Sequence, residues 1–203
     1  MRQCLIIGKA NAGKTLFLIN FAEYLGARSL RLSVERSDGS VSDASFGLAD
    51  ARKALVDAVP HKTLGLQTLT LSVPRGKTVR RIQLTDSAGL SEDVHETIDV
   101  RKAMAQTLRH LRLAGMVLHV VDASQVGQEG AVEAMGEVDL QIARYAPQRG
   151  PYAIIANKMD LPLAKSGLQT IVQTFRGQPV LPVSALEKRG FREVRSFVWK
   201  HAY

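Results

Sequence analysis

The sequence has a single cysteine, Cys4, in 203 residues. That excludes an internal disulfide and a cysteine-based metal cluster. Cys4 stands in an apolar run and reads as a small core residue. Long hydrophobic runs are missing. Stretches such as Met116–Val121 fall far short of the ~20 residues that a membrane helix needs. The N-terminal apolar run Leu5–Ile7 is too short for a signal peptide. There is no low-complexity tract, internal repeat or obvious linker. Acidic residues are the minority, 19 against 27 basic, for a net charge of +8. What remains is an ordinary globular mixture, 45% hydrophobic and 23% charged. The expectation is one cytoplasmic domain over residues 1–203. The basic excess suits an anionic partner such as RNA, a ribosome or an anionic membrane surface; a merely soluble basic surface is the plainer alternative.

Strand-like and helix-like patterns alternate along the chain. Gln3–Ile7 reads as a short apolar strand, and Thr15–Leu25 as a helix with Gly26 at the C-cap. Leu66–Val73 and Val79–Thr85 alternate in polarity around a Pro74-Arg75-Gly76-Lys77 turn, which predicts a hairpin. Met116–Asp122 and Tyr152–Asn157 are continuous apolar strands, suited to a sheet covered on both faces, and Val180–Val183 is a last short strand. Helical segments fall at about 93–113, 128–146, 162–175 and 187–201. The pattern predicts an α/β fold, with a mostly parallel sheet of about six strands and one antiparallel hairpin. Such sheets bind ligands at the carboxyl ends of their strands.

Three motifs fall at those ends. Gly8-Lys9-Ala10-Asn11-Ala12-Gly13-Lys14-Thr15 matches the phosphate-loop pattern G-x-x-x-x-G-K-[ST]. Gly8 and Gly13 let the backbone curl so that N–H groups face phosphate oxygens. Lys14 is placed to reach the β- and γ-phosphates, and the Thr15 hydroxyl to ligate Mg²⁺. The helix that follows puts its positive end behind the same phosphates. Asp86-Ser87-Ala88-Gly89 follows the second hairpin strand. There Asp86 is expected to hold Mg²⁺, directly or through water, and Gly89 to offer an unobstructed backbone N–H to a γ-phosphate. Asn157-Lys158-Met159-Asp160 ends its strand. Asp160 can accept both donors that guanine presents, N1–H and the 2-amino group. Adenine lacks both, which argues against an ATP site. Lys158 is expected to lie along the base and Asn157 to tie the base loop to the phosphate loop. Ser184-Ala185-Leu186 is expected to add the Ala185 N–H to guanine O6. Alone, N-K-x-D reads equally well as a solvated turn; its order after the other two motifs favours GTP or GDP.

The order of these motifs resembles the translation-factor-related GTPases, most of all the Era and TrmE branch, over essentially the whole chain. The loop is similar to that branch's G-x-x-N-x-G-K-S/T, Asp86-Ser87-Ala88-Gly89-Leu90 to its D-T-A-G-L, and Val117–Ser124 to its fourth strand. The resemblance implies GTP hydrolysis in a ribosome or RNA-processing context. It also implies that Asn11 helps to hold K⁺ against the phosphates, and that a first-switch threonine closes over Mg²⁺ and the γ-phosphate. Thr63 is the candidate for that threonine and, with Lys14, for a catalytic role. Leu90 stands where Ras-type enzymes place a water-orienting Gln, so slow intrinsic hydrolysis is expected, stimulated by K⁺ or by a protein, ribosome or RNA partner. Glu92, Asp93, His95 and Glu96 follow in a segment from which water could be positioned.

The pattern departs from the family before Thr63. An extended first-switch insertion, at about 35–62, holds a polar stretch, Ser37–Ser45, and a helix-like run, Leu48–Val59. A long loop with its own helix suits a partner-binding element or a lid; a surface insertion with no role is the plainer alternative. Two basic stripes also stand out: Arg101, Arg109 and Arg112 on one helix, and Lys188, Arg192 and Arg195 near Trp199 on the last. They suit contact with an RNA backbone and stacking of a base; solvated faces and a packed Trp are the plainer alternatives. The leading expectation is a GTP-hydrolysing switch. The alternative is a module that holds GTP as a scaffold signal with little turnover.

Overall fold

The computed structural model describes residues 2–36, 38–56, 65–89 and 98–202. Thr63 and Leu90, and with them Glu92, Asp93, His95 and Glu96, lie outside the described residues. The strands are β1 (Arg2–Ile7), β2 (Ser29–Arg36), β3 (Val41–Gly47), β4 (Gly65–Arg75), β5 (Thr78–Asp86), β6 (Met116–Asp122), β7 (Tyr152–Asn157) and β8 (Val180–Pro182). The helices are α1 (Lys14–Tyr24), α2 (Leu48–Leu55), α3 (Ile98–Leu113), α4 (Ala123–Glu129), α5 (Ala131–Tyr145), α6 (Ala164–Thr174) and α7 (Phe191–His201).

Among the described residues, the eight strands join one sheet in the order β3-β2-β4-β5-β1-β6-β7-β8. The run from β5 to β8 is parallel, and β4, β2 and β3 are each antiparallel to their neighbours. Side chains alternate across it. Cys4, Ile6, Leu118, Val120, Ala153 and Ile155 enter one core with Phe17 and Phe21 of α1 and Phe191, Val194 and Val198 of α7. Leu5, Ile7, Val117, Val121, Tyr152 and Ile154 enter the other, with residues of α3 to α6. Burial on both faces explains why β6 and β7 read as unbroken apolar runs. Cys4 is fully buried, and burial pushes its thiol pKa upward.

The sheet has two more strands than the sequence pattern suggests. The polar stretch expected as loop is largely β3, an edge strand paired to β2 from Val41↔Glu35 to Gly47↔Ser29. Its residues alternate only between exposed and half-buried, so no apolar face marks it as a strand. The hairpin turn is set by Gly39 at φ 85° and by Asp38, whose Oδ1 accepts the Ser40 N–H at 2.8 Å. Asp38-Gly39 is the local signal that would have located it. The helix-like run forms α2 over Leu48–Leu55. Arg52 of α2 pairs with Glu23 and donates through Nε to Asn20 Oδ1 at 2.8 Å.

Candidate functional site

The phosphate loop connects β1 to α1 at the carboxyl edge of the parallel strands. Gly8 (φ 145°) and Gly13 (φ 90°) adopt backbone angles that L side chains rarely take. A Cβ on Gly8 would stand 2.2 Å from the Val120 carbonyl oxygen, and one on Gly13 2.5 Å from Asn157 Nδ2. Asn11 is exposed and left-handed at φ 61°, a conformation asparagine tolerates. The first turn of α1 has no acidic residue and no side-chain cap. Its N–H groups therefore remain open to an anion.

Three charged side chains are buried beneath this loop: Lys14 (5% exposed), Asp86 (0%) and Asp139 (2%). Lys14 Nζ donates to the Lys9 carbonyl at 2.8 Å. Burial lowers the Lys14 pKa, and the charges of Asp86 and Asp139 oppose that shift. The Thr15 hydroxyl donates to Asp86 Oδ2 at 2.6 Å, while Asp86 Oδ1 is buried without a hydrogen-bond partner. Burial pushes the Asp86 pKa up to about 6, against the lowering pull of Lys14 and Thr15. An adjacent hydroxyl and carboxylate, with one carboxylate oxygen unsatisfied, form an oxygen donor set that fits a hard divalent cation. Gly89 packs directly on the loop; a Cβ there would lie 2.6 Å from Ala10 Cα.

The second wall is built at the ends of β7 and β8. Asn157 is 1% exposed. Its Nδ2 donates to the Ala12 carbonyl at 2.9 Å, and its Oδ1 accepts the Ala185 N–H at 3.0 Å. One side chain thus joins the phosphate loop, the N-K-x-D loop and the Ser184–Leu186 loop. The Ala185 N–H, expected to reach guanine O6, donates here to Asn157 Oδ1. Ser184 Oγ donates to Asp160 Oδ1 at 2.5 Å and accepts the Glu187 N–H at 3.0 Å. Lys158 is left-handed at φ 64°, and its Nζ lies 2.6 Å from Asp122 Oδ2. Burial raises the Asp122 pKa, but the hydrogen bonds from Lys158 and Ser124 outweigh it and the net shift is downward. Leu16, Lys158, Asp160, Leu161 and Leu186 line an open pocket of about 210 Å³. The apolar rim of Leu161 and Leu186 suits a flat ring, with Asp160 as the polar anchor.

Sequence reasoning missed two contributors. Asn20, 2% exposed, donates to the Ala185 carbonyl at 2.7 Å and steadies that loop from α1. Asp139 reaches the phosphate loop from α5. Neither belongs to a contiguous motif, and only a polar residue on an apolar helical face hinted at either. Of the two readings of Trp199, the plainer one, a Trp packed against the domain, is the one seen. Its ring lies 3.5 Å from the Arg80 guanidinium and 4.6 Å from that of Arg75, and its carbonyl accepts from Arg80 Nη1. The nearby basic stripe is partly neutralised: Lys188 pairs with Glu23 at 2.6 Å and Arg192 with Glu193 at 3.0 Å. On α3, Arg109 lies 3.4 Å from Glu35, and Arg101 and Arg112 are exposed.

Among the described residues, no helix is long and apolar enough to cross a membrane. In sequence, the chain is similar to the GTPase Obg of Aquifex aeolicus, at 29% identity over 125 residues, which is 60% of this chain and 36% of that protein. It is similar to the GTPase Obg of Halalkalibacterium halodurans at 28% over 169 residues, 80% of this chain and 39% of that one. The chain therefore spans well under half the length of these relatives. In structure, it resembles Aquifex aeolicus Era bound to GDP.AlF4- (TM-score 0.58, 18% identity, 99% of this chain and 57% of that chain). It also resembles the cytosolic domain of L. pneumophila FeoB (TM-score 0.60, 16% identity, 98% and 69%). At these identities the likeness establishes the fold, the three-layer α/β G-domain arrangement. A family model matches residues 45–158, a span that includes Asp86–Gly89, Asn157 and Lys158 and begins after the phosphate loop. With more than half of its length matched by that model, the chain belongs to the family described as 50S ribosome-binding GTPase.

Proposed function

We propose that the chain binds GTP with Mg²⁺ and hydrolyses it to GDP and phosphate as a slow molecular switch in the cytoplasm. The observation that carries this reading is Asn157, which bridges Ala12 of the phosphate loop and Ala185 of the last loop. Gly13 of the phosphate loop and the Asp160 carboxylate line the same pocket. Lys14 would leave the Lys9 carbonyl for the β- and γ-phosphates, which supply the negative charge its burial lacks. Gly8, Ala12 and Gly13 shape the backbone around the phosphates, and the Gly89 N–H would meet the γ-phosphate. Asp160 would take both guanine donors, Lys158 would lie along the ring, and Ser184, Ala185 and Leu186 would close its edge, with the Ala185 N–H shared between Asn157 and O6. Thr15 and Asp86 would hold Mg²⁺, with Thr63 completing the set when the first switch closes. Bound there, the ion offsets charge that develops on the phosphate oxygens. Asn11, exposed beside the cradle, suits a K⁺ contact.

Residues 1–203 then act as one G domain, and the segment at about 35–62, which carries the end of β2, then β3 and α2, is its departure from the family pattern. Two findings favour a ribosome or RNA partner: the family is described as ribosome-binding, and a related structure is that of Era in complex with MgGDPNP and nucleotides 1506-1542 of 16S ribosomal RNA. A net charge of +8 agrees with such a partner. A scaffold that holds GTP with little turnover is the second reading. Leu90, an apolar residue where water is usually oriented, favours it. Single-turnover hydrolysis in KCl against NaCl, with and without ribosomes, separates the two. The switch reading expects turnover that K⁺ or ribosomes accelerate, with the K⁺ effect lost in Asn11→Ala. No turnover under any condition leaves the scaffold.

A further inference from the structure

One buried polar cluster has no part in the chemistry above. It lies under the phosphate loop, where β6, β7 and α5 meet. His119 of β6 is fully buried in a strand otherwise made of apolar residues up to Val121, and Tyr152 of β7 is 4% exposed. His119 Nδ1 and the Tyr152 hydroxyl are 2.9 Å apart. On the other side of the ring, Nε2 lies 3.3 Å from Asp139 Oδ1. That is ion-pair distance without the alignment of a hydrogen bond. The second carboxylate oxygen, Oδ2, accepts the backbone N–H of Lys9 at 3.2 Å.

Lys9 is the second residue of the phosphate loop, and α5 holds it at two points. Asp139 takes its N–H, and the Ala134 carbonyl takes its ammonium at 3.0 Å. Gly136, at φ 73° and ψ 174°, breaks the helix between these two acceptors. The Lys9 carbonyl in turn accepts from Lys14 Nζ at 2.8 Å and from the Ala12 N–H at 3.4 Å. A carboxylate is an expensive group to place in a core, and this one is spent on one peptide of the loop that curls around phosphate. An anchored loop loses less conformational freedom when its ligand arrives.

We propose that Asp139 is a positioning residue for nucleotide binding. It fixes the Lys9 peptide, and through it the curl of residues 8–15, in the ligand-ready shape, while His119 and Tyr152 brace the carboxylate from behind. The proposal rests on the GTP-binding reading above. It differs from a purely structural role, in which the cluster only satisfies the core and its loss lowers thermal stability alone.

The test is titration of the full chain with a fluorescent GDP, at a temperature where circular dichroism shows each variant folded. Asp139→Ala removes the acceptor and is expected to weaken GDP on the order of 10-fold or more, about 1.4 kcal/mol per decade. Asp139→Asn keeps an oxygen for the Lys9 N–H and is expected to recover most of that affinity. Tyr152→Phe, which removes only the hydroxyl behind His119, is expected to weaken GDP by a smaller factor. Wild-type affinity in Asp139→Ala overturns the proposal, as does an Asp139→Asn variant no better than Asp139→Ala. If Asp139→Ala does not fold, Asp139→Glu takes its place, since one added methylene shifts the acceptor off the Lys9 N–H; wild-type affinity there overturns the proposal equally. A wild-type chain that binds no GDP overturns the GTP-binding reading and this proposal with it. Binding by wild type with indifferent variants overturns the proposal alone.

Discussion

The phosphate end and the base end of the site are built on opposite plans. At the phosphate end, Lys14, Asp86 and Asp139 are all nearly or fully buried. Burial drives the Lys14 pKa down and the Asp86 pKa up to about 6, and Asp86 Oδ1 has no partner. At the base end, hydrogen bonds close on one another: Asn157 to Ala12 and Ala185, Ser184 to Asp160, Asn20 to the Ala185 carbonyl. Hydrogen bonds that close on one another in a network are satisfied without a ligand. Buried charges with an unpartnered oxygen are not, and under the proposed function they would gain most from an anion and a cation arriving together. The base end is therefore closed in itself, whereas the phosphate end carries buried charge that the proposed nucleotide and ion would complete.

The sharpest way to break this contrast is at Asp160. Asp160→Asn is expected to cut GTP affinity on the order of 1,000-fold and to favour xanthine nucleotide, because the amide presents a donor where guanine also has donors. Calorimetric titration with GTP and xanthosine triphosphate checks this, and unchanged GTP affinity would refute the base assignment.

Next in size is the pH dependence that Asp86 imposes on the nucleotide-free protein. A carboxylate whose folded pKa is raised to about 6, from an ordinary 3.8, binds its proton more tightly in the folded state. Its contribution is neutral below about pH 4 and becomes increasingly destabilising as pH rises from about 4 to 6, to a total of about 3 kcal/mol. Urea unfolding of wild type and Asp86→Asn across that window is the measurement. The variant should lack this downward component, and parallel curves would show that Asp86 ionises freely.

The smallest effect is expected at Asp122. Its ion pair with Lys158 is partly exposed, with side chains 15% and 30% accessible, so Asp122→Asn should cost about 1 kcal/mol or less of stability and shift GTP affinity only a few-fold. A change as large as that at Asp160 would mean that the base end relies on buried charge as the phosphate end does.

How much of this was legible in the sequence follows from locality. The residues of the phosphate loop, Asp86–Gly89 and Asn157–Asp160 are neighbours in the chain, so spacing alone announced their chemistry. The strands β1, β4 to β7 and β8 showed in apolar runs or in alternation. In the β2–β3 hairpin, β2 alternates as well, Leu30, Leu32 and Val34 against Arg31, Ser33 and Glu35; β3 did not show, because an edge strand such as Val41–Gly47 has polar residues on both faces and takes its conformation from pairing with β2. Asn20 and Asp139 did not either. Their partners, Ala185 and Lys9, are 165 and 130 positions away, and helical periodicity says which face a residue occupies but not what that face meets.

The sequence by itself determined the class of chemistry. Closely spaced glycines, a lysine, a hydroxyl and spaced carboxylates specify phosphate and guanine recognition wherever strand ends bring them together. Only the tertiary structure decided how the site is held. Asn157 joins three loops, α5 reaches across to Lys9, and burial rather than any local motif sets the protonation of Asp86. Those are effects of packing and of a low-dielectric interior, and they exist only once distant segments share one core.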